Sequence, residues 1–207
     1  TTFNGELSTN GIDPKRRAPT GIKAAIIREK GVNGDREMAY ALYLAGFDVK
    51  DVHMTDLMTG REDLTEVNLI VFVGGFSNSA VLGSAKGWAG AFLYNPKAKA
   101  ALDNFYKRED TLSLGVCNGC QLMMELGLVY QDMDMSSHPK MHHNGSGKFE
   151  STFITISIPK NNSVMLTSYE GSQLGVWVAH GEGRFDLKAH KDFHIAATYT
   201  YPEYPGN

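Results

Sequence analysis

The chain is poor in cysteine, with only Cys117 and Cys120 among its 207 residues. Two cysteines three positions apart cannot join distant parts of a fold, so a disulfide framework is excluded. A reducing, cytoplasmic setting is expected. Long apolar runs are also missing. None reaches the ~18 residues that a membrane-crossing helix requires, so no membrane partner is expected. The opening stretch TTFNGELSTNGIDPKRRAPTG has no apolar core of the kind a secretory signal carries. Neither sign of charge is in excess: 20 Lys and Arg stand against 23 Asp and Glu, a formal net charge of −3. That balance gives no electrostatic ground for nucleic acid as a partner. The apolar share of 42% and charged share of 21% are ordinary for a globular protein. The length suffices for one well-buried domain.

Residues 1–20 are polar, with two Pro, two Gly and the cluster Lys15-Arg16-Arg17, and read as a linker from an upstream domain. Residues 21–207 are expected to be the folded domain. It closes on the turn residues YPEYPGN (201–207) and is expected to be truncated there. In between, strand and helix patterns alternate. Ile22–Arg28, a short apolar run, Asp48–His53, Asn68–Val73 (NLIVFV) and Thr111–Val116 (TLSLGV) read as strands. Asp35–Ala45 reads as a helix with Met38, Leu42 and Ala45 on its inner face, Asp35 as N-cap and Gly46 as its stop. Pro96–Arg108 reads as a helix with Pro in its first turn, and Gly119–Leu126 as a third helix. Such alternation predicts an α/β fold with a mostly parallel sheet flanked by helices. Past residue 150 the strand candidates are Ser151–Ile158, Leu174–Ala179 and Phe193–Tyr199, with no helices between them. This strand-rich half is expected to complete the sheet.

The sharpest chemical signal is Gly115-Val116-Cys117-Asn118-Gly119, where a strand pattern ends and a helix pattern begins. A nucleophile flanked two residues away on both sides by glycine is the pattern of a strand–elbow–helix turn. The helix N-terminus favours the thiolate, and the N–H of Asn118 can face an oxyanion. A thiol nucleophile needs a base, and the base needs a group to orient it. His180-Gly181-Glu182, at the end of the strand pattern LGVWVAH, supplies both residue types. Residues i and i+2 of an extended segment share a face, so His180 and Glu182 are expected to meet side by side. Gly74 and Gly75, after the buried run NLIVFV, free backbone amides for a second oxyanion contact. Cys120 completes a C-x-x-C pattern, but it falls on the inner face of the helix and reads as packing. His138, His142 and His143 sit among Pro139 and the Gly-rich HNGSGK, and they give no coordination set, so no metal is expected.

Together GVCNGCQ, AHGEGR and VGGFSNSAVLGSAKGWA resemble the class I glutamine amidotransferases. More narrowly they resemble the C-terminal glutaminase domains of the phosphoribosylformylglycinamidine synthase family. REKGVNGDREMA, GFDVKDVHMTDLMTGR and FLYNPKA match as well, so the resemblance covers nearly all of residues 21–207. It implies a flavodoxin-like sheet and a Cys–His–Glu triad on Cys117, His180 and Glu182. It puts oxyanion and substrate contacts on Gly74, Gly75, Phe76, Asn118, Gln121, Asn144, Ser146, Phe149 and Glu150. The implied reaction releases ammonia from the glutamine side chain through a thioester, for formylglycinamidine ribonucleotide synthesis in purine biosynthesis. The implied partner is a synthetase domain of the same polypeptide. ATP and magnesium belong to that part, and no cofactor is expected in this chain. The sequence departs from the family in three places. Asn78-Ser79-Ala80 stands where the family has Tyr-Gly-Asp, Lys148 and Thr152 stand where it has arginines, and its closing Met-Pro-His-Pro-Glu-Arg is absent.

The alternatives are a dithiol redox protein using Cys117 and Cys120, another elbow-cysteine hydrolase such as a peptidase, and a non-catalytic module. Only the first requires both cysteines and leaves His180 idle.

Overall fold

A computed structural model describes residues 15, 18–187 and 193–201. The described residues fall into two compact units, one ending at residue 135 and the other beginning at 136. Most of the expected linker and the chain's last six residues lie outside the described residues. At the linker's edge, Thr20 and Gly21 donate their backbone N–H groups to the Asp48 carboxylate at 2.8–3.0 Å.

The first unit runs β1 (Lys23–Arg28), β2 (Val32–Asn33), α1 (Asp35–Leu44), β3 (Asp48–His53), α2 (Met54–Thr59), β4 (Leu69–Phe72), β5 (Gly74–Gly75), α3 (Lys86–Leu93), α4 (Pro96–Tyr106), β6 (Leu112–Gly115) and α5 (Asn118–Glu125). Its main sheet is parallel throughout, in the order β3-β1-β4-β6. Counting only these strands, the order is second, first, third, fourth, as in doubly wound flavodoxin-like sheets. Ala24 to Ile27 are buried without a break because β1 is covered on both faces. On one face Ala25, Ile27, Ile70 and Phe72 pack against Leu57, Trp88, Phe92, Leu102 and Leu122 from α2 to α5. On the other, Ala24, Ile26 and Val71 pack against Leu42 of α1. The short pair β2–β5 is antiparallel, with Val32 opposite Gly75.

Two details of α1 differ from expectation. Gly34 takes the N-cap place at φ 78, leaving Asp35 as the first helical residue. There its charge still favours the helix N-terminus. Ala45 has left the inner face; it is the exposed C-cap, and the chain turns at Gly46, φ 100. Helices α2 and α3 were not foreseen. One is six residues long, and the other carries two glycines.

The second unit contains β7 (Lys140–His142), β8 (Glu150–Ser157), β9 (Gln173–His180), β10 (Arg184–Asp186) and β11 (Thr198–Tyr199). The expectation that these strands complete the parallel sheet is corrected. They pair with one another, as the antiparallel sheets β11-β8-β9 and β10-β7. Alternating exposure along β9 suits a sheet with one wet face, whereas a parallel strand needs both faces covered. The strand expected over Phe193–Tyr199 shrinks to Thr198–Tyr199, the only residues of that run paired with β8.

Candidate active site

Cys117 stands between β6 and α5 at φ 54, ψ −110. A non-glycine residue held at such angles costs on the order of 1–3 kcal/mol and persists only where its surroundings dictate it. Here they do. Val116 donates to Phe72 O at 2.9 Å, Gly119 to Val116 O at 2.9 Å and Gln121 to Cys117 O at 3.1 Å. A Cβ added to Gly119 would lie 1.9 Å from the Phe72 carbonyl oxygen, so α5 meets β4 at a distance only glycine allows. The result is an exposed thiol at a helix N-terminus. Cys120, one turn on, is mostly buried. Burial raises its pKa, and a charge on Cys117 raises it further. The two thiols therefore differ: one is presented, and the other is held protonated.

The glycine strand β5 lies beside that thiol. A Cβ on Gly74 would sit 3.2 Å from Cys117 Cβ and 3.8 Å from its Sγ. Gly75 has φ 107 and no room for a side chain against Asn33 N and Gly31 O. The amide of Phe76 is a correction to the expected oxyanion set, since it donates to Gly31 O at 3.0 Å. The side chains of Asn118 and Gln121 are engaged within the fold. Both are buried. Ser77 Oγ donates to Asn118 Oδ1 at 2.6 Å, and Asn118 Nδ2 donates to Gln121 Oε1 at 3.1 Å. These side chains tie the elbow to the loop after β5. The backbone N–H of Asn118, in the first turn of α5, stays outside the helical ladder. Ser77 and Gly31 were not singled out from sequence. Their signal was only a serine after Gly-Gly-Phe and a glycine after β1.

In the second unit, His180 is the last residue of β9, directly opposite Glu150 on β8. Desolvation lowers its pKa below the ordinary 6.5, against smaller upward pushes from its backbone hydrogen bond and the charge of Glu150. The expected His180–Glu182 contact is absent. β9 ends at His180 and the chain bends at Gly181 and Glu182, so the extended geometry that would align i with i+2 is lost. Glu182 instead reaches within 4.0 Å of His143. Nδ1 of His180 meets Asn144 Oδ1 at 2.8 Å. Among the expected substrate residues, Asn144 and Glu150 are buried, Phe149 is exposed, and Ser146 Oγ accepts from Lys148 N at 3.3 Å. Among the described residues no three His, Cys, Asp or Glu side chains gather as a metal set. His138 is buried with Nδ1 on the Pro139 carbonyl at 2.8 Å.

A family model described as the CobB/CobQ-like glutamine amidotransferase domain matches residues 21–201. The chain is similar to the phosphoribosylformylglycinamidine synthase of Dictyostelium discoideum, 50% identical over 165 residues, which cover 79% of this chain and 12% of that protein. It is 47% identical over 182 residues to the Homo sapiens protein of the same name, covering 82% of this chain and 14% of that one. It thus spans roughly an eighth of the length of these relatives. The structure of PurLQS from Thermotoga maritima matches with a TM-score of 0.67 at 24% identity, over 87% of this chain and 76% of that chain, a likeness of fold.

Proposed function

We infer that this chain, which belongs to the CobB/CobQ-like glutamine amidotransferase domain family, hydrolyses the side-chain amide of glutamine at Cys117. The observation that carries the reading is the strained elbow at φ 54, ψ −110, which presents this thiol alone of the two. The thiol sulfur attacks the amide carbon while its proton passes to Nε2 of His180. The oxyanion faces the amides of Asn118 and of β5. His180 returns the proton to the leaving nitrogen, and ammonia departs as the carbon–nitrogen bond breaks. Water then attacks the γ-glutamyl thioester, again losing a proton to His180, and the thiol leaves with that proton. The balance is glutamine plus water to glutamate plus ammonia. The relatives' name suggests the destination: a synthetase part of the same assembly that uses the ammonia to make formylglycinamidine ribonucleotide. ATP and magnesium are assigned to that part, and a cytoplasmic location fits it.

The test is affinity labelling with 6-diazo-5-oxonorleucine, followed by mapping of the adduct. Labelling of Cys117 alone, with protection by glutamine, is expected. Labelling of Cys120, or indifference to glutamine, would overturn the assignment.

A further inference from the structure

We propose that Ser77 is the positioning residue of the oxyanion site: its hydroxyl, acting through the side chain of Asn118, sets the spacing between the amides of β5 and the amide of Asn118. The proposal rests on reading Cys117 as the nucleophile of the reaction above. The two sets of amides come from separate stretches of chain. One belongs to the glycine strand after β4, the other to the first turn of α5. An oxyanion site works only when its donors stand together about 3 Å from one oxygen. The two stretches must therefore be held at a fixed separation. A side-chain hydrogen bond joins them: Ser77 Oγ donates to Asn118 Oδ1 at 2.6 Å, across 41 positions of sequence. Asn118 Nδ2 carries the tie on to Gln121 Oε1 at 3.1 Å, further along α5.

The burial pattern marks this serine out. Phe76 before it is 59% exposed, yet Ser77 is 1% exposed and Asn118 2%. Bulk water does not reach groups so enclosed, and each polar atom depends on its protein partner. The backbone on either side of Ser77 is pinned elsewhere. Phe76 N–H donates to Gly31 O at 3.0 Å, and Asn78 N–H donates to Lys30 O at 2.7 Å. Gly31 leaves no slack in that attachment, since a Cβ on it would lie 2.3 Å from Phe76 O. With the main chain engaged by the turn between β1 and β2, the Ser77 side chain reaches across to α5. On its own side α5 is seated on β4, where Gly119 meets the Phe72 carbonyl. Two segments, each anchored elsewhere, thus meet at one hydroxyl. Its loss leaves both anchors in place and lets the gap between the amides relax.

The test separates the oxyanion from the thiol. Glutamine hydrolysis needs both, whereas alkylation of Cys117 by iodoacetamide displaces iodide and develops no oxyanion. In Ser77→Ala of the 207-residue protein, kcat for glutamine is expected to fall on the order of 10- to 100-fold, with KM and the alkylation rate mapped to Cys117 within about twofold of wild type. Asn118→Ala removes the side chain and keeps the backbone N–H, and it is expected to lose the same factor. The double variant is expected to lose no more than either single one, because both break one link. Unchanged kcat in folded Ser77→Ala overturns the proposal. A fall in alkylation rate parallel to that in kcat overturns it too, since it marks a general loosening of the elbow. So do single losses that multiply in the double variant. Where Ser77→Ala does not fold, Asn118→Ala carries the same comparison of kcat with alkylation. Labelling of Cys117 by 6-diazo-5-oxonorleucine reports separately on the functional reading. An unlabelled Cys117 in the wild type sinks that reading and the proposal with it. A labelled Cys117 beside a kcat indifferent to Ser77 sinks the positioning alone.

Discussion

Gly119→Ala should damage the elbow more than any other single-methyl addition to this helix. The new Cβ would begin 1.9 Å from the carbonyl oxygen of Phe72 and 2.5 Å from its carbon. Both are backbone atoms of a central strand, so no side-chain rotation relieves them. Phe72 cannot retreat, because its fully buried ring meets Trp88 and Phe92 edge-on at centroid distances of 5.9 and 6.1 Å. The start of α5 must therefore move out by roughly 1.5 Å to restore ordinary contact, carrying Cys117 and the Asn118 amide with it. Overpacking of this kind costs about 1–3 kcal/mol, which for a chain of this size is a fall in Tm of about 3–10 °C. A nucleophile misplaced by that much should lose about 10²-fold in kcat. The assay is glutamate release at saturating glutamine beside thermal unfolding. The control is Gly90→Ala in α3, where the new Cβ meets only Tyr94 at an ordinary 3.7 Å. It should gain about 0.5–1 kcal/mol from helix propensity. If Gly119→Ala matched wild type in both kcat and Tm, the close approach of α5 to β4 would be wrong.

Three further outcomes are expected. Cys117→Ala should abolish glutamine hydrolysis and Cys120→Ala should leave most of it; dependence on both thiols in a folded protein would favour redox chemistry. The lowered pKa of His180 means that the neutral base persists below pH 6.5, so the acid limb of kcat/KM should lie beneath that value. The same shift contributes stability that is present above the unfolded value and lost as pH falls through the folded one. Since the charge of Glu150 pushes the ring upward, Glu150→Gln should move the acid limb to lower pH, and a move to higher pH would contradict that sign. Asn78, Ser79 and Ala80 run consecutively at φ 51 to 56. Ser79→Gly should relieve left-handed strain of roughly 1–2 kcal/mol against an unfolded-state penalty of about 0.4–1 kcal/mol, raising Tm slightly. A lower Tm would show that the serine hydroxyl matters more than its backbone.

Much of the first unit was legible because its elements follow local rules. Asp48–His53 appears with its expected bounds, and β1, β4, β6, α4 and α5 each differ from expectation by only a few residues. Parallel strands covered on both faces show as unbroken apolar runs, and helices with Pro or Asn at their start announce themselves. Asn95 caps α4 by accepting from Lys97 N and Ala98 N. What failed was partnership. The strands after residue 150 were found, but a strand pattern does not name its neighbour. Only alternation of wet and dry positions, weak in a short run, separates an antiparallel pair from another member of a parallel sheet. Ser79 shows the opposite case. The backbone at Ser79 keeps a positive φ that a glycine would take freely.

The site divides along the same line. Cys117 could be read from sequence because strand, glycine, nucleophile, glycine and helix follow one another within a few residues, even though Gly119 itself is demanded by Phe72 on β4. The neighbour of the His180 ring could not. The spacing of His180 and Glu182 suggested a pair only on the premise that the strand continues. It stops at His180, where the Asn144 amide accepts from Gly183 and donates to the His180 carbonyl, turning the chain. The residue that ends the strand thus also takes the ring nitrogen that Glu182 was expected to meet. Its sequence separation of 36 from His180 hides it from any local rule. Asn144 was singled out through the resemblance, but as a substrate contact. Its four hydrogen bonds leave the amide no capacity to bind glutamine directly. Those contacts give an expectation for one variant: Asn144→Ala should loosen the turn after β9 and lower kcat through His180 far more than it raises KM. Steady-state kinetics of the folded variant would decide it, and an effect on KM alone would return Asn144 to the substrate side of the site.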